Sequence, residues 1–319
     1  MSGTMKKWLM AALTLLVVGG LIFVAAMASS AFDFSLLSTR ELETETHELR
    51  EDFDCLDLHV DTAKLILLPS KDGKCTVVCR EDKEQKHTVA VRGGTLVVEP
   101  PKEWKSDMFS FGGGSPSVTV YLPKTSYAAL TVKTDTGDVE IPADFGFERI
   151  EVTGDTADVS CRASASESVV VRTSTGDVLL EGLRTGELRV TNSTGKLELR
   201  NAAVSGAVEL KSSTGDRTID SLSCGSFHSE SDTGDVRCKG LLASGDLRIK
   251  TTTGSVTLED SDAAELYIRT TTGSVKGNLL TEKVFLCETS TGDVEVPKSI
   301  TGGRCEISTS TGDIRISTP

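Results

Sequence analysis

Hydrophobic and polar residues alternate along most of the chain, in short runs on either side of a recurring Thr-Gly corner. In the copy at residues 188–199, apolar residues stand seven and five positions before Gly195 and two and four positions after it. Alternation with a period of two is typical of strands that bury one face. Each copy therefore predicts two short strands joined by a tight turn.

The corner recurs at a short and nearly constant spacing. There are ten copies, and successive copies are 19 or 20 residues apart. Such a period indicates a stacked repeat, whereas propeller blades need about 40–50 residues. The chain is therefore predicted to be all-β, a parallel β-solenoid (β-helix) of 19–20-residue coils. Nine copies have glycine and one has alanine in the corner slot: Gly137, Ala157, Gly176, Gly195, Gly215, Gly234, Gly254, Gly273, Gly292 and Gly312.

The residues around the corner glycine have predicted structural roles. Threonine precedes the slot in all ten copies, so stacked coils would align these threonines in a ladder. Glycine supplies a positive φ, and the aspartate that often follows, such as Asp177, is expected to accept N–H groups of the turn. Calcium binding is the alternative for this acidic column. It is disfavoured because Lys196, Ser255 and Ser274 interrupt the column and calcium needs about six to eight converging oxygens.

Two positions depart from the repeat. Arg217 fills a slot that is otherwise apolar, which predicts a local slip of register or an outward bend. Gly277 fills another apolar slot and predicts a thin place in the core.

The sequence divides the repeat region into two sections. Residues 128–319 are predicted to be the regular solenoid, and residues 55–127 an irregular β capping section with early coils, because repeat arrays need atypical ends. Residues 61–65 look like a degenerate copy of the corner. The loop from Trp104 to Pro116 carries several aromatic residues, which are expected to cover the apolar end of the stack. A binding lip is the alternative interpretation of this loop.

An apolar segment precedes these sections. Residues 8–28 are long enough for a transmembrane signal-anchor helix, since about 20 apolar residues cross a bilayer. Lys6 and Lys7 predict that residues 1–7 stay in the cytoplasm, which makes the chain a single-pass protein of the cell membrane with its C-terminal domain extracytoplasmic. A cleaved signal peptide is the alternative, and it also exports the domain. Residues 29–54 are predicted to be an acidic, solvated stalk, in which Ser38 and Glu41 indicate a short capped helix.

The net charge limits the possible partners, and the positions of the cysteines limit the possible disulfides. The chain has 47 acidic and 34 basic residues, and a net charge of −13 disfavours nucleic acid as a partner. Cys75 and Cys79 stand on one predicted strand about 13 Å apart, which is too far for a disulfide. Four other cysteines occupy apolar slots and are expected to be small buried hydrophobic residues, although a Cys287–Cys305 bridge stays open: Cys161, Cys238, Cys287 and Cys305.

The sequence offers no set of catalytic residues. It has four histidines, none of them near a nucleophile motif, and no phosphate-binding loop. Polysaccharide-degrading β-helices need a carboxylate pair in a cleft, and no pair stands out here. We therefore predict a protein that is not an enzyme, with no cofactor and no metal site. The ligand-binding residues stay unknown at this stage.

Residues 55–319 resemble the bacterial "putative adhesin" β-strand-repeat family, a domain of unknown function. The resemblance rests on the strand at 118–123, the strand at 130–134 and the Thr-Gly-Asp-Val units behind an N-terminal membrane segment. It implies a location in the bacterial cell envelope and supplies no catalytic residues. The leading hypothesis is a membrane-anchored, extracytoplasmic scaffold or adhesin that binds an envelope glycan or protein. An envelope-stress sensor acting through membrane partners is the alternative, and a polysaccharide-active enzyme is less favoured.

Overall fold

The computed structural model describes residues 42–101 and 115–319, together with Thr14, Leu15, Val18 and Gly19. The predicted membrane segment at 8–28 therefore lies outside the described residues except for those four positions, and so does the predicted loop as far as residue 114. Among the described residues, no helix combines the length and the hydrophobicity that crossing a membrane requires.

Strands dominate the described chain and join into one sheet. The N-terminal section contains β1 (Leu42–Leu49), β2 (Cys55–His59), β3 (Lys64–Pro69), β4 (Cys75–Asp82), β5 (Thr88–Arg92), β6 (Thr95–Glu99) and β7 (Ser117–Leu122). The central section contains β8 (Ser126–Thr134), β9 (Val139–Ile141), β10 (Gly146–Thr156), β11 (Val159–Cys161), β12 (Ser164–Thr175), β13 (Val178–Glu181), β14 (Arg184–Thr194), β15 (Leu197–Thr214), β16 (Arg217–Thr233), β17 (Val236–Thr253), β18 (Val256–Arg269) and β19 (Val275–Leu279). The last section contains β20 (Lys283–Thr291), β21 (Val294–Glu295), β22 (Gly303–Thr311) and β23 (Ile314–Ser317).

Equivalent positions of successive repeats stack on one another in parallel. Ile150 of β10 pairs with Leu130 of β8 on one side and with Val169 of β12 on the other. Because the side chains alternate along each strand, every second residue points into the coil and joins one continuous hydrophobic core. The predicted all-β parallel solenoid is confirmed, and the period-two pattern identifies its inward face correctly.

Five consecutive coils turn a second time six residues after the corner glycine. A column of residues with positive φ occupies this position, and the residue that follows is buried at Leu183, Leu222 and Leu241. Asparagine, aspartate and glycine tolerate this left-handed conformation better than most residues. The column consists of Gly182, Asn201, Ser221, Gly240 and Asp260.

At the N-terminal end, the order of coils in space differs from their order in the chain. The coil of β2 and β3 lies between that of β6 and β7 and that of β8 and β9. His59 pairs with Lys133, and Leu65 with Val139, so Ala63 takes the place of a corner glycine. Residues 61–65 are therefore a degenerate corner, as predicted. Antiparallel strands then extend this end, because β5 pairs with β6, β4 with β7, and β1 with β4.

The prediction of a helical, solvated stalk is wrong for Leu42–Leu49, which form strand β1 of the cap. This segment pairs antiparallel with β4 along its whole length. Its acidic residues meet lysines of the turn between β4 and β5, where Lys86 Nζ lies 2.9 Å from Glu45. Backbone pairing with β4 and ion pairs with these lysines both involve residues that are distant in sequence. Together they outweigh the local helix signal. Ser38 and Glu41 lie outside the described residues.

The C-terminal end is also reordered. The last coil, β22 and β23, is inserted between β18–β19 and β20–β21. The coil of β20 and β21 is therefore the outermost one, although it precedes β22 in the chain. Ile314 and Ile316 of the inserted coil are buried, whereas Ser317 and Pro319 beyond them are exposed.

Candidate functional site

The aspartates that follow the corner form a hydrogen-bonded column. The side chain of Asp158 accepts the backbone N–H of Asp177 at 2.7 Å, and that of Asp177 accepts the N–H of Lys196 at 2.7 Å. Further along, Ser255 and Ser274 fill the slot, and their hydroxyl oxygens accept the corresponding N–H groups. The aspartates are hydrogen-bond acceptors, as predicted, but the N–H groups that they accept belong to the next coil and not to their own turn. Each side chain links its own coil to the next by a hydrogen bond, so the role of the column is structural.

The corner threonines stack in register, as Thr175 does with Thr156 and Thr194, but they face solvent. A second polar column, two residues earlier, points inward and makes the hydrogen bonds. Thr270 Oγ1 donates to the carbonyl of Gly254 at 3.0 Å, and Thr309 Oγ1 donates to that of Gly273 at 3.0 Å. This column was not among the predicted features. The alternation itself contains the signal, because this position has the same parity as the buried apolar residues.

Arg217 points into the core, and the predicted register slip or outward bend is wrong. Its register with Leu197 and Val236 is unbroken, and its side chain is buried. Nη1 donates to Ser229 Oγ at 2.7 Å, and Nη2 donates to Ser212 Oγ and to the carbonyl of Glu230. Burial lowers the pKa of this guanidinium to about 10. Inward serines thus accommodate a cation in an apolar slot, and we find no ligand-binding role for it.

All eight cysteines are free thiols, and six of them are buried. Burial raises the pKa of Cys161 to about 11 and that of Cys238 to about 12, so both stay protonated at neutral pH. A protonated, inaccessible thiol is a poor nucleophile and a poor metal ligand. Cys305 pairs in register with Phe285, so Cys287 is offset from it by two residues, as predicted. The expectation of buried hydrophobic cysteines is confirmed at Cys161, Cys238 and Cys305, while Cys287 is half-buried.

One group of side chains within the described residues has the spacing of metal ligands. Ligand atoms of His59, Asp61 and Asp135 lie within 4.8 Å of one another, at the degenerate first corner. His59 Nε2 is 3.1 Å from Asp61 Oδ1, and desolvation raises the pKa of Asp61, with a smaller effect of Asp135 in the same direction. The backbone carbonyl of Asp61 accepts three N–H groups of residues 135–137. The cluster is therefore explained as a closed turn with its own ion pair.

The outward faces of the coils carry charged residues that pair across neighbouring coils. Arg149 Nη1 lies 2.6 Å from Glu167, Arg189 Nε lies 2.8 Å from Glu209, and other pairs repeat this arrangement. Exposed pairs of this kind add little to stability. Their effect is to leave the described sides of the stack polar and repetitive.

The outermost C-terminal coil is different from the sides. Leu286 and Val294 are half-exposed and Ile300 is almost fully exposed, while Phe285 and Val296 pack against the core from the open side. Here a hydrophobic surface lies beside β20, which within the described part of the chain pairs with another strand on one side only. We call the outer side of β20 and β21, with residues 280–300, the terminal edge. Among the described features, it is the best candidate for a binding site.

The family model of the Toastrack domain, DUF4097, matches residues 53–223 and 207–319. The chain belongs to the Toastrack family. The resemblance to the β-strand-repeat family is thereby confirmed, and the two overlapping matches cover nearly the whole repeat region. The comparison with curated proteins gave no match.

Several solved bacterial structures have partial similarity to this Toastrack chain. A protein of Bacteroides fragilis described as a "putative adhesin" is 15% identical, with a TM-score of 0.40, and the match covers 88% of this chain and 98% of that one. A "putative lipid binding protein" of Parabacteroides distasonis is 15% identical, with a TM-score of 0.47, and the match covers 75% of this chain and 97% of that one. TM-scores below 0.5 are too low for either likeness to support an inference about this chain.

Proposed function

We propose that the protein is a non-catalytic β-repeat scaffold, held at the cell membrane by its N-terminal apolar segment, whose repeat domain binds a glycan or protein of the cell envelope. The observation that supports this proposal best is the continuous parallel stack of coils from β8 to β19, with ion-paired polar side chains on its outward faces. A rigid, periodic surface of this kind suits a repetitive or extended partner. In the sequence, no carboxylate pair of the kind that a glycosidase needs stands out.

The membrane part of the proposal rests on the sequence. Residues 8–28 are apolar, and Lys6 and Lys7 precede them. This order places the short N-terminus in the cytoplasm and the repeat domain outside. The net charge of −13 argues against nucleic acid as a partner.

The location is tested by labelling intact cells with a membrane-impermeant maleimide. Ser310→Cys introduces a thiol on an exposed position of β22, and Ser2→Cys introduces one at the predicted cytoplasmic end. We expect Ser310→Cys to be labelled before lysis and Ser2→Cys only after lysis, with the native chain giving the background. The reverse pattern would place the repeat domain in the cytoplasm and refute the proposal.

The binding part is tested by co-sedimentation of the full-length protein with purified cell-wall sacculi and by cross-linking to envelope proteins in living cells. We expect specific, saturable binding in at least one of the two experiments. If neither detects a partner, and deletion of the gene changes stress-gene expression without changing surface attachment, the envelope-stress sensor replaces the scaffold.

A further inference from the structure

Exposed hydrophobic residues are concentrated at the terminal edge. Beyond residue 41, the described chain has five large hydrophobic residues that are exposed, and four of them lie between residues 280 and 300: Leu280, Leu286, Val294 and Ile300. The fifth, Leu242, stands alone on β17 in the middle of the stack. Single exposed apolar residues are ordinary, whereas a cluster marks an interaction surface.

The same edge presents the backbone groups with which coils bind one another. The N–H of Gly312 donates to the carbonyl of Thr291, and the N–H of Ile314 donates to that of Asp293. Gly292 and Val294 hold the same positions in the outermost coil, and no further coil lies beyond them among the described residues. Their N–H groups are therefore free to donate to the carbonyls of an added strand.

The side chain of Asp293 completes this set of stacking groups. In preceding coils the corresponding aspartate accepts an N–H of the next coil, as Asp158 does from Asp177. The Asp293 side chain is 87% exposed, and its nearest cation is Arg315 at 3.8 Å. Donors and an acceptor at strand spacing fit an extended backbone, and they fit neither a helix nor a compact ligand.

The two ends of the solenoid are not equivalent in this respect. At the N-terminal end, antiparallel strands β1, β4 and β5 extend the sheet beyond the first coils. At the C-terminal end, the described residues provide no such strands next to β20. Proteins usually protect a sheet edge against pairing, so an edge that combines unpaired strands with exposed leucine, valine and isoleucine is suited to bind a strand.

Charge determines which strand fits. Four acidic residues of the terminal edge are exposed, whereas Lys298 is its exposed lysine and Lys283 is buried against Asp262. A second copy of the chain would bring two acidic edges together, which costs free energy. A segment with basic side chains would be attracted instead. The four acidic residues are Glu282, Glu288, Asp293 and Glu295.

We propose that the terminal edge binds an extended segment of a partner protein, in which apolar residues alternate with lysine or arginine. The segment adds as a further strand beside β20, with its apolar side chains against Phe285 and Cys287, which share the parity of the buried Cys305 and Ile307. Its basic side chains then lie on the opposite face, beside Leu286 and Glu288. This inference rests on the scaffold function, since it names the surface and the partner chemistry that such a scaffold uses. The experiment below uses purified protein, so its outcome does not depend on the location of the domain in the cell.

The test measures binding of labelled synthetic peptides to the full-length protein in detergent by fluorescence anisotropy. One peptide has alternating valine and lysine over the length of β20, which is 9 residues. A second has the same charge with proline at its centre, which removes a ladder hydrogen bond, and a third has alternating valine and glutamate. We expect saturable binding of the first peptide, and binding at least about tenfold weaker of the other two.

Matched variants locate the binding surface. Leu286→Lys is expected to weaken the valine–lysine peptide about tenfold, whereas Leu242→Lys, at a similarly exposed position on β17, leaves its affinity unchanged. Glu288→Lys should weaken this peptide and strengthen the valine–glutamate peptide, a reversal that misfolding cannot produce. Equal binding of the proline peptide, or equal effects of Leu286→Lys and Leu242→Lys, would overturn the proposal. Self-association that Leu286→Lys abolishes, without peptide binding, would make a second copy the occupant.

Discussion

At the scale of single residues, the two threonine columns have different energetic roles. Thr270 is buried and donates to the carbonyl of Gly254, whereas Thr272, two residues later, is exposed. Thr270→Val keeps the shape of the side chain but leaves that carbonyl without its donor, so it should lower the free energy of unfolding by about 1–2 kcal/mol. Thr272→Val should change it by less than about 0.5 kcal/mol. Urea unfolding of both variants checks this, and equal losses would contradict the assignment of the inner column.

Because of the buried thiols, the free energy of unfolding depends on pH in the alkaline range. Burial raises the pKa of Cys161 from its usual value of 9.0 to about 11. Between these two pH values the unfolded chain binds fewer protons than the folded one. The free energy of unfolding therefore falls by up to about 1.4 kcal/mol per pH unit for this thiol and is unaffected below pH 9.

Cys161→Val tests this dependence, because valine is apolar and does not titrate. Urea unfolding across this pH range, with a reductant present, should give a shallower decline for the variant than for the native chain. Identical slopes would show that Cys161 does not carry the effect.

Arg217 shows how far residue-level prediction from sequence can reach. The hydropathy pattern correctly marked the slot as one that faces the core, and the structure keeps Arg217 there. The error lay in assuming that a charged side chain must leave the core. Ser229, which was not singled out in the sequence, also stands in an otherwise apolar slot one coil later, and its contact with Arg217 depends on packing that the pattern does not record.

At the scale of elements, the aspartate column joins each coil to the next through the backbone. Asp158→Ala removes the acceptor for the N–H of Asp177 and should cost about 0.5–1.5 kcal/mol. Asp158→Asn keeps an oxygen acceptor and removes one of several like charges spaced about 4.8 Å apart. We therefore expect the asparagine variant to be at least as stable as the native chain. Thermal unfolding at low salt measures both effects.

Added calcium distinguishes a structural aspartate column from a calcium site. If the column were a calcium site, added calcium would raise the melting temperature of the native chain and not that of Asp158→Asn. We expect no shift in either protein, since the carboxylates within the stack already accept an N–H of the neighbouring coil, as Asp158 and Asp177 do. A shift confined to the native chain would restore the calcium hypothesis.

The strands of the repeat follow from the sequence because their signal is local. Alternation predicts the two strands of each coil, and the fixed period predicts that they stack in parallel. The signal fails at β1, where a capping box and an acidic run indicate a helix. There the deciding partner is β4, more than 25 residues away, together with lysines beyond it. Local propensity cannot include such a partner.

At the scale of the whole molecule, the order of the coils along the chain does not predict the order in which they stack at either end. Regular repeats are nearly interchangeable in their pairing, because each presents the same apolar face and the same turn groups. Which coil follows which is therefore decided at the ends, by the connections. The candidate binding surface depends on this outcome, since inserting the last coil leaves β20 and β21 outermost with their hydrophobic residues exposed.

Disulfide cross-linking tests the inserted order directly. Tyr267 pairs with Glu306, and Glu306 pairs with Leu286, so cysteines at 267 and 306, or at 286 and 306, should form a bridge under mild oxidation. Cysteines at 267 and 286 are two coils apart, about 9.6 Å, which exceeds the reach of a disulfide of about 7 Å. Stacking in chain order predicts the opposite, a bridge between 267 and 286. Mass spectrometry of proteolytic fragments identifies the linked pairs and distinguishes them from links through the native thiols. A bridge between 267 and 286 would refute both the inserted coil and the terminal edge that it creates.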